Sequence, residues 1–147
     1  MNDRKPKNIF IAGAISPQFI ADSIGEHAAK KNIGAHSIFL GQVRDDVLAG
    51  KKITAIEYTA YEEMALDQMH ILRESIFEKY SLTCMHVHHS LSTVEAGGIC
   101  LFVFTSSAHR KAAIDACEET VEKIKKELPI WGNEVFDDST HQWKINK

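Results

Sequence analysis

The residues Thr105-Ser106-Ser107-Ala108-His109-Arg110 join an apolar run to a long amphipathic pattern. Read as a strand feeding a helix, they put a His and an Arg where a helix N-terminus exposes unpaired N–H groups and a partial positive charge. That is chemistry for an anion, and phosphate suits it. An Arg in the first turn opposes the helix dipole, which favours a ligand role over a stabilising one. The plainer reading is a Ser cap beside two solvated side chains. A second cation, Arg44, leaves another apolar run in Gly41-Gln42-Val43-Arg44. It is either presented to an anionic ligand or simply exposed at a turn. A third, Lys125, stands near the end of the second amphipathic pattern. Lys123 and Lys126 each have a Glu four residues earlier, Glu119 and Glu122, whereas Lys125 has Val121 there. It lacks the favoured helix-surface partner. A lysine held near other cations and away from water acts as a nucleophile or base, and one at a helix end is otherwise a solvated charge that suits the dipole.

Two further groupings are weaker. Cys84, His86 and His88 alternate along an apolar run and would share one strand face, as a zinc site does, but no fourth ligand or closed motif accompanies them. Ser107, His109 and Asp115 sketch a hydrolase triad without the Gly-x-Ser-x-Gly elbow. Neither grouping is taken as a site.

The elements that must position these residues follow from periodicity. Asn8 to Ala14 reads as a strand. Ser16-Pro17 gives an N-cap with Pro at the first helical position, and Ile20, Ile24 and Ala28 continue the helix. Ala35 to Val43 and Ile53 to Tyr58 are strand-like. The polar stretch Asp45 to Lys52 between them reads as a mobile loop. Tyr61 to Tyr80 carries a helical stripe of Ala65, Met69, Leu72, Ile76 and Tyr80. Leu82 to His89 is a strand, Ser90 to Gly98 a turn with a Gly-Gly pair, and Ile99 to Thr105 a very apolar, central strand. Ser107 to Leu128 is a second long helix with its stripe on Ile114, Cys117, Val121, Ile124 and Leu128, stopped by Pro129. Ile130 to Lys147 forms a short hairpin or extended arm. Strands and helices mix without a repeating βαβ rhythm, so the class is α+β.

Composition excludes several alternatives. The chain has 147 residues, enough for one ordinary domain, 1–147, and its 44% hydrophobic and 25% charged content is that of a globular protein. The net charge of −3 argues against a general nucleic-acid binder. Three cysteines without a Cys-x-x-Cys point to a reducing compartment, and no apolar run approaches the ~20 residues of a membrane span. The apolar stretch from Ile9 to Ile15 stops at Ser16-Pro17 with a helical pattern after it, unlike a secretory signal. The expectation is a cytoplasmic protein without membrane or nucleic-acid partners.

Taken in order, Gly41-Gln42-Val43-Arg44, Thr105-Ser106-Ser107-Ala108-His109-Arg110 and Lys125 followed by Pro129-Ile130-Trp131 resemble the MoaE family, the large catalytic subunits of molybdopterin synthase. The similarity runs from about Gly34 to Trp143. The resemblance implies an α/β-hammerhead fold with a mixed or antiparallel sheet, two long helices and a small β subdomain. It implies a sulfurtransferase that takes two sulfurs from a small ubiquitin-like carrier and gives them to cyclic pyranopterin monophosphate, yielding molybdopterin. The carrier ends in a Gly-Gly thiocarboxylate and binds a homodimer to form a heterotetramer. No cofactor or metal is implied. Carried over by position, Lys125 is the catalytic lysine, and Gln42, Val43, Arg44, His109, Arg110 and Glu134 contact substrate.

Two positions depart from the family pattern. The family has a second lysine directly after the Trp, where this chain has Gly132; Lys144 or Lys126 could replace it in space. His88-His89-Ser90-Leu91 stands where His-Arg and a Gly are usual, a change expected only to alter a turn. A non-catalytic paralogue that binds the carrier, or another phosphate-ligand enzyme, are the alternative readings. His109 and Lys125 lie 16 positions apart on the expected helix, roughly 24 Å at 1.5 Å per residue. One small substrate cannot touch both, so a shared site must draw them from different subunits.

Overall fold

The computed structural model describes residues 7–146. After the strand β1 (Phe10–Ala12), the Ser16 hydroxyl accepts from the Phe19 N–H at 3.1 Å and Pro17 opens helix α1 (Pro17–Glu26). The helix tightens into a 3-10 turn at His27–Ala29. Ile20 is buried, but Ile24 is exposed, so the inward face is narrower than the sequence stripe. Then follow β2 (Ala35–Gln42), β3 (Val47–Leu48), β4 (Lys51–Ala60), α2 (Glu62–Lys79), β5 (Cys84–Glu95), β6 (Ile99–Ser107), α3 (Arg110–Glu127), β7 (Ile130–Phe136) and β8 (His141–Trp143).

Among the described residues, the strands form one sheet in the order β2-β6-β5-β4-β7-β8, with β1 beside β5 and β3 beside β4. Only the β1–β5 pairing is parallel, and the class is α+β as expected. β6 lies between β2 and β5 and is almost wholly buried. Its Leu101 and Val103 face a core shared with Met69, Leu72 and Ile76 of α2 and Cys117, Val121 and Ile124 of α3. Its Phe102 and Phe104 face Ile15 and Ile20 on the other side. Cover on both faces is why the strand reads as an unbroken apolar run.

Three readings are corrected. Ser90 to Gly98 turns only at its end, at Ala96, Gly97 and Gly98. β5 runs on to Glu95, pairing first with β6 (Cys84–His89) and then with β4 (Ser92–Glu95), and Ser92 takes a φ of 67° at the crossing. Asp45 to Lys52 is not a structureless loop but a hairpin. Its two central residues, Ala49 and Gly50, have φ of 51° and 79°, the pattern of a tight type I′ turn. Ile114 is exposed, because the inward face of α3 is Ala113, Ala116, Cys117, Thr120, Val121 and Ile124, one position round from it.

The turn that launches α3 is held by a close approach. The Gly34 N–H donates to the Ser107 carbonyl at 3.0 Å, and a Cβ on Gly34 would sit 2.0 Å from the Ala108 oxygen. Only glycine lets the two backbones meet there. Gly34→Ala must push the Ser107–Ala108 segment outward, and denaturant unfolding should show a loss of about 1–3 kcal/mol. An unchanged midpoint would show that the contact fixes nothing.

Candidate active site

The N-terminal pole of α3 is built by hydroxyls at the end of β6. The Ser107 hydroxyl donates to the His109 carbonyl at 2.5 Å and accepts from the Ala113 N–H at 3.0 Å. The Thr105 hydroxyl donates to the Ala113 carbonyl at 2.7 Å. These bonds strap the first turn to the strand and leave the His109 and Arg110 side chains exposed. Ser107 is spent as a cap and Asp115 pairs with Lys111 at 3.0 Å, so no hydrolase triad forms.

The opposite pole holds the other cations. Gln42, Arg44, Tyr58, Cys100, Lys125, Glu134 and Lys144 line one open cavity of about 610 Å³. Lys125 reaches it because α3 runs back along β6 and ends there. Arg44 reaches it because the strand end is pinned: the Val43 N–H donates to the Gly98 carbonyl at 3.0 Å, and the Val43 carbonyl accepts from Gly97 at 2.8 Å. Arg44 is bound only to Asp46, at 3.1 Å, with three quarters of its side chain exposed. Such an ion pair is weak, and a phosphate can outbid the carboxylate.

Of the residues expected to contact substrate, Gln42, Arg44 and Glu134 therefore gather with Lys125. His109 and Arg110 do not, as the helix arithmetic requires. Val43 does not line the cavity: its side chain is 2% exposed, packed with Ile56, Tyr58, Val94 and Cys100, and both its backbone groups are engaged. It pins the strand end that carries Arg44.

The Gly132 departure now has a shape. Gly132 pairs with Tyr58 across β7 and β4, and a Cβ there would lie 2.8 Å from Ile56 Cγ2 and 3.2 Å from the Tyr58 ring. The Lys144 N–H donates to the Gly132 carbonyl at 2.8 Å, so Lys144 enters the cavity from the strand next door. Lys126 does not line it. The Asn146 side chain donates to the Lys125 carbonyl at 3.2 Å, folding the tail over the end of α3.

Sequence reasoning missed two neighbours of Lys125. His89 is buried in β5, with Nδ1 2.8 Å from the Ser90 carbonyl, and lines a smaller recess with Lys125, Lys144 and Tyr58. Burial pushes its pKa down to about 4, against the Ser90 hydrogen bond, so it stays neutral beside the lysine. The His88-His89-Ser90-Leu91 departure thus changes the floor of the site, where only an altered turn was expected. The Tyr58 ring meets His89 edge-on, with centroids 5.2 Å apart. Burial, then Cys100, raises the Tyr58 hydroxyl far above its usual value, so it stays protonated. Alternation could have flagged both as inward residues of known strands, but not what they face.

On the other side of the sheet, Cys84 and His86 share a face as expected. His88 lies on that face too but stacks on Phe102 with Phe19 against its edge, and it is His27 that stands beside His86.

Comparison with known proteins matches this arrangement. The family model described as MoaE protein matches residues 15–127. The Bos taurus "Molybdopterin synthase catalytic subunit" is 29% identical over 147 residues, all of this chain and 77% of that one. The Pyrococcus abyssi protein of the same name is 34% identical over 110 residues, 75% of this chain and 74% of that one. The crystal structure of molybdopterin synthase from Staphylococcus aureus superposes with a TM-score of 0.78 at 30% identity, covering 93% of this chain and 96% of that one. A Helicobacter pylori complex of subunits 1 and 2 of molybdopterin-converting factor shares the fold, with a TM-score of 0.80 at 22% identity, covering 94% and 90%. With the family model spanning most of its length and its cations placed at the two ends of α3, the chain belongs to the MoaE family.

Proposed function

We propose that this chain works as the catalytic subunit of a molybdopterin synthase, a sulfurtransferase of molybdenum cofactor biosynthesis, with Lys125 at the centre of the reaction. The observation that carries this reading is the convergence of Arg44, Lys125 and Lys144 on one cavity in a MoaE fold. Both reactants are anions. The substrate, cyclic pyranopterin monophosphate, carries a phosphate, and the carrier's C-terminal thiocarboxylate carries the sulfur. Cationic walls neutralise both and hold the sulfur against an electrophilic pterin carbon. As sulfur adds to the pterin carbon, a carbon–oxygen bond at that carbon breaks and the oxygen leaves as water with protons from solvent, while Lys125 holds the thiocarboxylate. When water then cleaves the carrier's acyl–sulfur bond, Lys125 stabilises the oxyanion. The carrier leaves as a carboxylate and the sulfur stays on the pterin. Glu134 orients the lysines from the cavity wall.

The carrier is a small ubiquitin-like subunit whose Gly-Gly tail is slim enough to enter beside Lys125. The Helicobacter pylori complex of two subunits supports such a partner. His109 and Arg110 of a second copy complete each site, in a homodimer within a heterotetramer. β2 stands at the sheet edge with Ile38 and Leu40 exposed, which supports self-association. All three cysteines are free and buried, which fits a reducing cytoplasm. Among the described residues no helix is long and apolar enough to cross a membrane.

In an assay with thiocarboxylated carrier and pyranopterin, Lys125→Ala should lower dithiolene formation by about 10²–10³-fold. Its stability should change by under ~0.5 kcal/mol, since the side chain is exposed. Lys126→Ala should stay near wild type. Wild-type activity in Lys125→Ala, or none in the unmodified chain, would sink the reading; carrier binding without transfer would mark a non-catalytic paralogue.

Lys144→Ala should also lose rate, whereas Gly132→Lys, which restores the family residue, should lose stability against Ile56 and gain no rate. A faster Gly132→Lys enzyme would show that Lys144 does not stand in.

Inactive Lys125→Ala and Arg110→Ala subunits, mixed, should recover one good site per mixed dimer. No recovery, with mixed dimers shown to form, would mean single-chain sites.

A further inference from the structure

We propose that His27, Cys84 and His86 form a zinc-class metal site, with water as fourth ligand, that ties the 3-10 turn after α1 to β5. It lies across the sheet from α3, apart from the sulfur-transfer cavity, and does not depend on that function. The ligand atoms come from two elements 57 residues apart in sequence and all lie within 4.8 Å of one another. His27 and Cys84 are buried and His86 is half-buried.

The hydrogen bonds prepare the lone pairs. His27 Nδ1 is 2.7 Å from the Ser23 carbonyl, which can only accept. Nδ1 therefore carries the proton, and Nε2 turns a lone pair inward. This is the outer-shell arrangement that orients metal-binding histidines. His86 Nε2 stands 3.0 Å from that same Nε2. Without a metal, His86 must donate its proton across the gap. With one, both lone pairs point at the ion, and the spacing is close to the roughly 3.3 Å edge of a tetrahedron with bonds of about 2.0 Å.

The third corner is sulfur. Cys84 Sγ accepts from the Lys30 ammonium at 2.8 Å, so a cation already sits on it. Lys30 is an exposed residue on a flexible stem and can swing to solvent. The metal then replaces it, and the thiol proton is released to water. Two imidazoles and one thiolate form a borderline-soft set that suits Zn²⁺ over Mg²⁺ or Ca²⁺. His86 also lines a separate cavity of about 170 Å³ with Asn8, His70 and Arg73, which gives an ion a way in.

The test uses the full, untagged chain stripped with a chelator and titrated with Co²⁺, then Zn²⁺. Expected are a thiolate-to-cobalt charge-transfer band and tetrahedral d–d absorption, saturating at one ion per chain and bleached by Zn²⁺. Cys84→Ser should abolish the charge-transfer band. His86→Gln and His27→Gln should weaken binding by more than the ~10-fold typical of losing an outer-shell partner. His88→Gln should leave binding unchanged. Zn²⁺ should raise the melting temperature of the wild type and not of Cys84→Ser. If His27→Gln fails to fold, the near-isosteric Cys84→Ser decides. Absence of the band, its survival in Cys84→Ser, or equal losses in His88→Gln and His86→Gln would overturn the site.

Discussion

β6 and α3 lie back to back and have nearly matched lengths. Nine strand residues at ~3.3 Å span about 30 Å, and eighteen helical residues at ~1.5 Å span about 27 Å. The chain leaves the β6 terminus at Ser107, turns within two residues and returns, so the end of α3 comes home to the start of β6. That one rigid return sets the two poles of the molecule. Arg44, at the end of the strand beside β6, and Lys125 meet at one pole. His109 and Arg110 are held at the other by Ser107, Thr105 and the Gly34 contact. Neither pole can shift without breaking the apolar packing between helix and strand.

The pole that carries Lys125 is cationic, and the structure keeps it reactive by controlling what surrounds the charge. His89 is neutral because it is buried, so it adds no further positive charge beneath the lysine. Tyr58 keeps its proton, so it adds no negative one. The only carboxylates lining the cavity are Asp46, already paired with Arg44, and Glu134. The excess positive charge is thus left for anionic ligands.

Local signals were legible in the sequence, and relations between distant segments were not. Ser16-Pro17 announces a helix start because the cap hydroxyl and the N–H that donates to it are three residues apart. Ile99 to Thr105 announces a buried strand because both its faces are apolar. Ser90 to Gly98 misled because β5 changes partners midway, and Ser92, Thr93 and Glu95 are exposed there. Arg44 and Lys125 could each be read from the sequence as an anion contact or as an ordinary surface charge, and Glu134 was singled out by resemblance alone. Lys144 and Lys126 were both candidates to replace the lysine absent at Gly132, and only the β7–β8 pairing shows that Lys144 lines the cavity and Lys126 does not. His27 was invisible as a partner of His86, since 59 residues separate them.

The tail beyond β8 walls the cavity, with Lys144, Ile145 and Asn146 all lining it and Asn146 bound to the last turn of α3. Anything fused after these residues leaves the molecule at the mouth of that cavity. An affinity handle placed there narrows the way into the cavity, and under the proposed function its length and charge become kinetic variables. Under that reading, preparations with different carboxy-terminal extensions differ in access to the cavity, and rates measured on them compare access as much as chemistry.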